Sequence, residues 1–237
     1  YKRNPDVLFL LGLALQNLDK YNEALVKYQF ALTYGYIGNE IYYCMALCYA
    51  KSGQKESALK MGDKYLEEKG LIKETAFELV TLYTSAGYYL EASAIAQKIN
   101  IPEIWHVFGE ALVLKEQYEM ALSPLNIAIE MKGDNDSARF ALGYAYYELN
   151  KMDDAIIQFK EALKLKPKNP EYLGGLGFLY AEAGENLAEA ESLCRQALVE
   201  STNKKDADLW DNLGWVYYKR GKLTEAIDIL EKALAAD

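Results

Sequence analysis

Apolar residues recur three and four positions apart along most of this chain, the spacing that turns one face of an α-helix toward a core. The periodic stretches come in pairs. In each pair two stripes of about 14 residues are separated by a short break, at Gly53, Gly87, Gly184 and Gly221 in four of the pairs. Glycine ends a helix at such a point at little steric cost. Leu11-Gly12, Leu142-Gly143, Leu176-Gly177 and Leu213-Gly214 mark one phase of the pattern, and Gly109 after Phe108 falls in the same phase. Met45-Ala46 and Leu79-Val80 fill the slot in the two pairs that lack this glycine. Units therefore begin near Pro5, Asn39, Lys73, Pro102, Asp136, Pro170 and Ala207, at spacings of 34, 34, 29, 34, 34 and 37 residues. Self-similarity at that period points to an array of small supersecondary units rather than to one folded globule.

Two irregularities interrupt the array. The third unit is five residues short, and its second helix passes to the next through only Ile99 to Pro102. The charge balance changes at the same junction. Residues 1–101 carry 11 basic and 11 acidic side chains, whereas residues 102–237 carry 15 and 24, the whole of the net −9. The chain is accordingly divided into 1–101 (units one to three) and 102–237 (units four to seven), with a change of twist expected near residue 100. The sixth unit has an extra residue between Gly184 and Ala190 and a longer exit, Ser201 to Asp206, both read as surface adjustments.

The recurring residues resemble the tetratricopeptide repeat family over nearly the whole chain. That pattern prefers a large residue at position 4, Leu at 7, Gly or Ala at 8 and Tyr at 11, then Ala at 20, an aromatic or Leu at 24, Ala at 27 and Pro at 32. The last unit supplies Trp210, Leu213, Gly214, Tyr217, Ala226, Leu230 and Ala233. The fifth supplies Leu142, Gly143, Tyr146, Ala155, Phe159, Ala162 and Pro167, with Arg139 at position 4. The stretch from Leu209 to Leu234 looks most like bacterial members of the family. The resemblance implies an all-α fold, a right-handed α-α superhelix (solenoid) of about seven helical hairpins. Small residues at 8 and 20 would let paired helices approach, and large ones at 4, 7, 11 and 24 would fill the space between hairpins.

Composition agrees with helix: Pro is sparse at 5, while Tyr is abundant at 20, so many positions ask for a flat apolar body with a polar tip. No window reaches the roughly 18 consecutive apolar residues that span a bilayer, so no direct membrane insertion is expected. The chain begins at Tyr1 with no charged-then-apolar leader before Val7, and reads as a fragment of something longer. At the other end the pattern stops at Asp237, directly after the seventh hairpin. Leu223, Ile227 and Leu234 are thus expected at an open end, through truncation or as a surface for a homo-oligomer. The acidic half repels phosphate, which disfavours nucleic acid as a ligand.

Candidate chemistry is thin. Three Cys form no disulfide framework; Cys44 and Cys48 lie four apart on one helix face, where a bridge would be strained, and all three read as small buried thiols. Free thiols lean toward a reducing compartment. The single His106 has no Ser or Cys companion, and no four-ligand metal site, phosphate loop or catalytic set is recognisable, so neither an enzyme nor a cofactor is expected. The resemblance instead implies an inner groove lined by the first helix of each hairpin. In the last three hairpins its positions hold Phe140, Tyr144, Tyr147, Phe178, Trp215 and Tyr218, with Glu148, Glu182 and Asp211 beside them. Aromatics of this kind dominate binding energy at interfaces, and the carboxylates would favour Lys or Arg on a protein or peptide ligand. The same aromatics also suit packing against adjacent hairpins. Glu40, Glu74, Glu103, Glu171 and Asp208, all at position 2, are explained by the helix dipole. Gly174 and Gly175 would admit either a ligand or a neighbouring hairpin. Capture of a C-terminal carboxylate, known in one branch of the family, is disfavoured because positions 2, 5 and 6 carry no Lys or Arg. The function expected is a non-catalytic adaptor that binds a peptide segment, by analogy in a bacterial envelope or secretion complex. A self-associating scaffold or the recognition arm of a larger enzyme are the alternatives.

Overall fold

The computed structural model describes residues 4–203 and 206–236, and these are all-α, with fourteen helices. The exit expected over Ser201 to Asp206 therefore falls partly outside the described residues, at 204–205. The chain divides into two compact units, Tyr1–Ala111 and Leu112–Asp237. In the first, α1 (Pro5–Asn17) pairs with α2 (Tyr21–Thr33), α3 (Glu40–Lys51) with α4 (Lys55–Lys69), and α5 (Lys73–Ser85) with α6 (Tyr89–Ile99). The helix α7 (Pro102–Leu114) contains the division, and α8 (Tyr118–Met131) is the first helix wholly in the second unit. There α9 (Asp136–Glu148) pairs with α10 (Met152–Leu165), α11 (Pro170–Ala183) with α12 (Leu187–Glu200), and α13 (Ala207–Lys219) with α14 (Leu223–Ala236).

One backbone device turns every hairpin. Asp19, Gly53, Gly87, Glu116, Asn150, Gly184 and Gly221 all take a left-handed conformation, with φ between 58° and 80°. The next residue's N–H then donates to the carbonyl five residues back, as in Lys20 to Leu15, Tyr88 to Tyr83 and Lys222 to Tyr217, at 2.7–2.9 Å. This closes the end of the first helix and satisfies a carbonyl that would otherwise lack a partner. Four of these seven positions are the glycines on which the sequence pattern broke. The other three carry Asp and Asn, whose short polar side chains ease the conformation, and Glu, which takes it at a cost of about 1–2 kcal/mol. The extra residue of the sixth hairpin is absorbed by a second left-handed residue, Asn186. The short link between α6 and α7 turns on left-handed Asn100, whose side chain also accepts the indole N–H of Trp105 at 3.0 Å.

Beyond the turn, the two helices of a hairpin touch through their smallest residues. Ala24, Ala58, Ala92, Ala121, Ala155 and Ala190 are fully buried on the second helices. Opposite them, a Cβ added to Gly12 would come within 2.4 Å of the Tyr28 ring, and one on Gly143 within 2.5 Å of the Phe159 ring. At Gly177 the added atom would lie 2.9 Å from the Ala190 backbone carbonyl. The larger side chains fill what remains. Phe9, Leu25, Tyr28, Ile41 and Met45 form a core in the first unit, and Ile156, Phe159, Leu176, Leu179, Leu213 and Val216 one in the second. Buried tyrosines keep their polar tips satisfied: Tyr28 donates to Gln16 at 2.9 Å, Tyr65 to Glu78 at 2.5 Å and Tyr172 to Asp136 at 2.6 Å. Trp105 is buried, while Trp210 is half-buried beneath the Lys232 ammonium, 5.3 Å from the ring centroid.

These contacts fix the sign of two substitutions. Alanine is better than glycine inside a helix by about 1 kcal/mol. Gly177→Ala should nevertheless destabilise the protein by about 1–3 kcal/mol, because the added atom would meet the buried Cys194 sulfur and also the Ala190 carbonyl, which is backbone and cannot rotate away. Gly87→Ala should cost about 1 kcal/mol from backbone conformation alone, since nothing lies within 4 Å of the added atom. Urea denaturation followed by circular dichroism measures both, and a neutral Gly177→Ala would refute the close-approach account.

Candidate binding cleft

The second unit contains a cleft of about 640 Å³ between its first helices α9, α11 and α13. Each of these helices starts with a polar cap: Asn135 accepts from the Ala138 N–H, Asn169 from those of Glu171 and Tyr172, and Asp206 from that of Leu209. Helical periodicity then aims one stripe of each into the cleft. The α9 stripe is Phe140, Tyr144, Tyr147 and Glu148. Glu171, Gly175, Phe178 and Leu179 face it from α11, and Asp208, Leu209, Asp211 and Asn212 from α13. The stripe begins in the first turn on α11 and α13, and only in the second turn on α9. Phe159 of α10 completes the floor.

One polar tie holds α9 against α11, and a second holds it to the residue that follows α10. The Asp136 carboxylate at the start of α9 accepts from the Tyr172 hydroxyl of α11, and Lys166 lies 2.8 Å from the same oxygen. Burial acts to raise the Asp136 pKa, but the hydrogen bonds from Lys166 and Tyr172 outweigh it and hold the carboxyl below its ordinary value. The glycine pair of α11 accepts neighbouring hairpins rather than a ligand. A Cβ on Gly175 would lie 2.3 Å from the Phe159 ring, and one on Gly174 would lie 2.8 Å from Leu209 Cδ2.

The aromatic wall is a chain of ring contacts. Tyr144 and Tyr147 have centroids 6.5 Å apart, and Tyr147 meets the edge of Phe178 at 5.6 Å. Tyr118 of α8 lies edge-on to Tyr144 at 6.2 Å. Phe140 is held from below by Phe159 at 4.8 Å and from the side by Tyr172 at 4.9 Å. Burial, followed by a hydrogen bond to Glu148, pushes the Tyr144 phenol up to about 12. The rest of the lining is acidic. Glu148 stands beside Tyr144 on α9, Glu171 is on α11, Asp208 and Asp211 are on α13 and Asp206 caps it, and no Lys, Arg or His is among the described lining residues.

Six of the nine residues picked from the sequence thus come together at this cleft: Phe140, Tyr144, Tyr147, Glu148, Phe178 and Asp211. Glu182, Trp215 and Tyr218 form a neighbouring group. The Trp215 indole N–H donates to Glu182 Oε1 at 2.5 Å, and Lys219 sits 3.6 Å from that oxygen and 5.0 Å over the indole. Tyr218 stacks on Trp215 at 5.3 Å and is exposed on its outer side. Glu171 and Asp208, read from the sequence only as dipole-compensating acids, also line the cleft, as do Asp206 and Asn212. The signal that could have found Glu171 and Asp208 was the first-turn register of α11 and α13.

Elsewhere Cys44, Cys48 and Cys194 are free and buried, and burial pushes their thiols up to about 11, 12 and 12. The His106 imidazole faces Glu110 at 3.7 Å. Among the described residues no group of three or more His, Cys, Asp or Glu side chains could hold a metal ion, and no helix is long and apolar enough to cross a membrane.

Paired helices closed by one recurrent turn, with first helices that together line a cleft, define a helical repeat protein. The fourteen helices form about seven stacked hairpins with the tetratricopeptide-type fold. A TPR repeat profile matches residues 143–184 and a Tetratricopeptide repeat profile matches residues 171–237. The chain is 29% identical over 134 residues to the TPR repeat-containing protein MJ1428 of Methanocaldococcus jannaschii, covering 56% of this chain and 23% of that protein. It is 24% identical over 249 residues to the BBSome complex member BBS4 of Bos taurus, covering 89% of this chain and 47% of that one. It therefore spans between about a quarter and a half of the length of these curated relatives. Among solved structures, the APC/C hetero-tetramer Cut9-Hcn1 shares the fold, with a TM-score of 0.60 and 18% identity over 92% of this chain and 43% of that one.

The Asp136 tie makes a pH prediction. A carboxyl whose pKa is depressed by folding contributes stability that is fully present above its ordinary value, here 3.8, and lost as pH falls through the folded value. The thermal midpoint should drop on acidification below about pH 4, and Asp136→Asn should flatten part of that drop. Calorimetry between pH 3 and 6 tests this, and an Asn variant with an unchanged acid slope would refute the tie.

Proposed function

We propose that this chain is a non-catalytic interaction scaffold whose second unit holds a polypeptide segment carrying apolar and basic residues in the cleft between α9, α11 and α13. One observation carries the reading: aromatic rings and five carboxylates line one cleft together, with no positive charge among the described lining residues. Aromatic side chains that keep part of their surface exposed, as Tyr144 does, offer binding energy that the core has not already used. The acidic side sets the sign of the partner and steers it in, so binding should weaken as salt rises. That BBS4 is a complex member favours assembly over chemistry by family analogy. The bacterial likeness of the C-terminal stretch is supported by a relative in Pseudomonas aeruginosa, although other relatives are archaeal and eukaryotic.

The test is affinity capture from the native source with wild-type protein and with a Tyr144→Ala, Asp211→Asn double variant, each checked for folding by circular dichroism. The double variant should lose a partner held by the wild type by about thirtyfold or more, the effect of one interface hot spot. A partner retained at full strength would remove the cleft from the function.

Self-association is a second reading, favoured by one observation. Leu223, Ile227 and Leu234 are exposed along α14, with Leu234 at 80%. If a second copy docks there, the mass by light scattering should rise with concentration, and Leu234→Glu should abolish the rise. A concentration-independent monomer would remove this reading.

A further inference from the structure

We infer that the cation selected by the cleft is the guanidinium of arginine rather than the ammonium of lysine. This rests on the proposal that the cleft is a binding site, and it adds which side chain of the partner is anchored there.

Five carboxylates suggest a strong negative field, but their surroundings weaken it. Glu171 and Asp208 stand in the first turns of α11 and α13, where the positive ends of the helix dipoles already offset part of their charge. Asp206 spends one carboxylate oxygen on the Leu209 N–H as the cap of α13. Glu148 accepts the Tyr144 hydroxyl. A point charge entering the cleft therefore gains less from the field than a count of acids implies. More is gained by a ligand that makes directed hydrogen bonds to several carboxylates at once.

The carboxylates also come from three different helices: Glu148 from α9, Glu171 from α11, and Asp206, Asp208 and Asp211 from α13. Guanidinium presents five N–H donors fanned out in one plane and pairs with carboxylates two bonds at a time. Ammonium presents three donors on a compact centre that holds its water strongly. Entry beside Tyr144, Tyr147 and Phe178 strips water from the ligand. Guanidinium is the more weakly hydrated of the two, and its flat face can rest on a ring while its edge donates to carboxylates. Glu182, in the neighbouring group, is already met by Lys219 and Trp215 and stands outside the lining. Glu171, Asp208 and Asp211 are the exposed acids of the lining, set on the two helices α11 and α13, and they are the side chains that read the cation.

The probes are N-acetyl-arginine amide, N-acetyl-lysine amide and N-acetyl-citrulline amide, titrated into the full chain while the ring resonances of Tyr144, Tyr147 and Phe178 are followed by NMR. The arginine probe should saturate at about fivefold lower concentration than the lysine probe, and citrulline, flat but uncharged, should fall below both. An Asp208→Asn, Asp211→Asn double variant should abolish the arginine preference while leaving the circular dichroism spectrum intact. Equal affinities for arginine and lysine, or a preference that survives the double variant, would overturn the inference and leave the cleft as a site for cations in general. No response of these rings to either cation would instead overturn the proposed function itself.

Discussion

The close approach of two helices within each hairpin is the constraint on which the rest of this structure depends. At Gly12, Gly143, Gly177 and Gly214 the space that a Cβ would occupy is already taken by atoms of the partner helix. Buried alanines meet these positions from the other side. The pairing leaves no room for variation at the crossing, so variation is pushed to the faces that look outward from the hairpin. Burial of the remaining large side chains, at about 1.5–3 kcal/mol each, then joins one hairpin to the next. A hairpin alone would expose that surface, which is why the unit of stability is the stack and not the pair.

The cleft follows from the same arrangement. The second helices α10 and α12 pack on their own first helices and on the next ones, and α11 packs directly on α13, so that the inner faces of α9, α11 and α13 are left to line the cleft. Gly175 lets Phe159 reach through from the preceding hairpin and form the floor. Asp136, Tyr172 and Lys166 fix the α9 wall at its end. The aromatics in this wall thus serve two ends in different proportion. Phe140 is held on two sides by Phe159 and Tyr172, and much of its surface belongs to the core. Tyr144 is 39% exposed and keeps part of its ring available.

The acidic side of the cleft has a local origin in helix chemistry. First-turn acids and a capping aspartate are what the starts of α11 and α13 prefer on their own account. Stacking of the hairpins brings these starts to the mouth of one cavity, and side chains that stabilise helices become the charge pattern of a binding surface. Trp215 shows the opposite outcome. Its register placed it among the groove residues, but its one donor is bonded to Glu182 and its face is shared between Tyr218 and Lys219.

The sequence by itself determined the hairpins, since helical period, small residues at fixed phase and glycine at four of seven turns are local properties that each segment carries alone. It could not show that Asp19, Glu116 and Asn150 make the same left-handed turn, because these residues accept that conformation without requiring it. Nor could it separate Gly175 as a seat for a ligand from Gly175 as a seat for Phe159, or separate Glu171 as a helix-start acid from Glu171 as a cleft wall. Those distinctions depend on which side chain of another hairpin arrives at each position. Only tertiary packing decides that, because the contacts lie between segments whose own patterns are nearly identical.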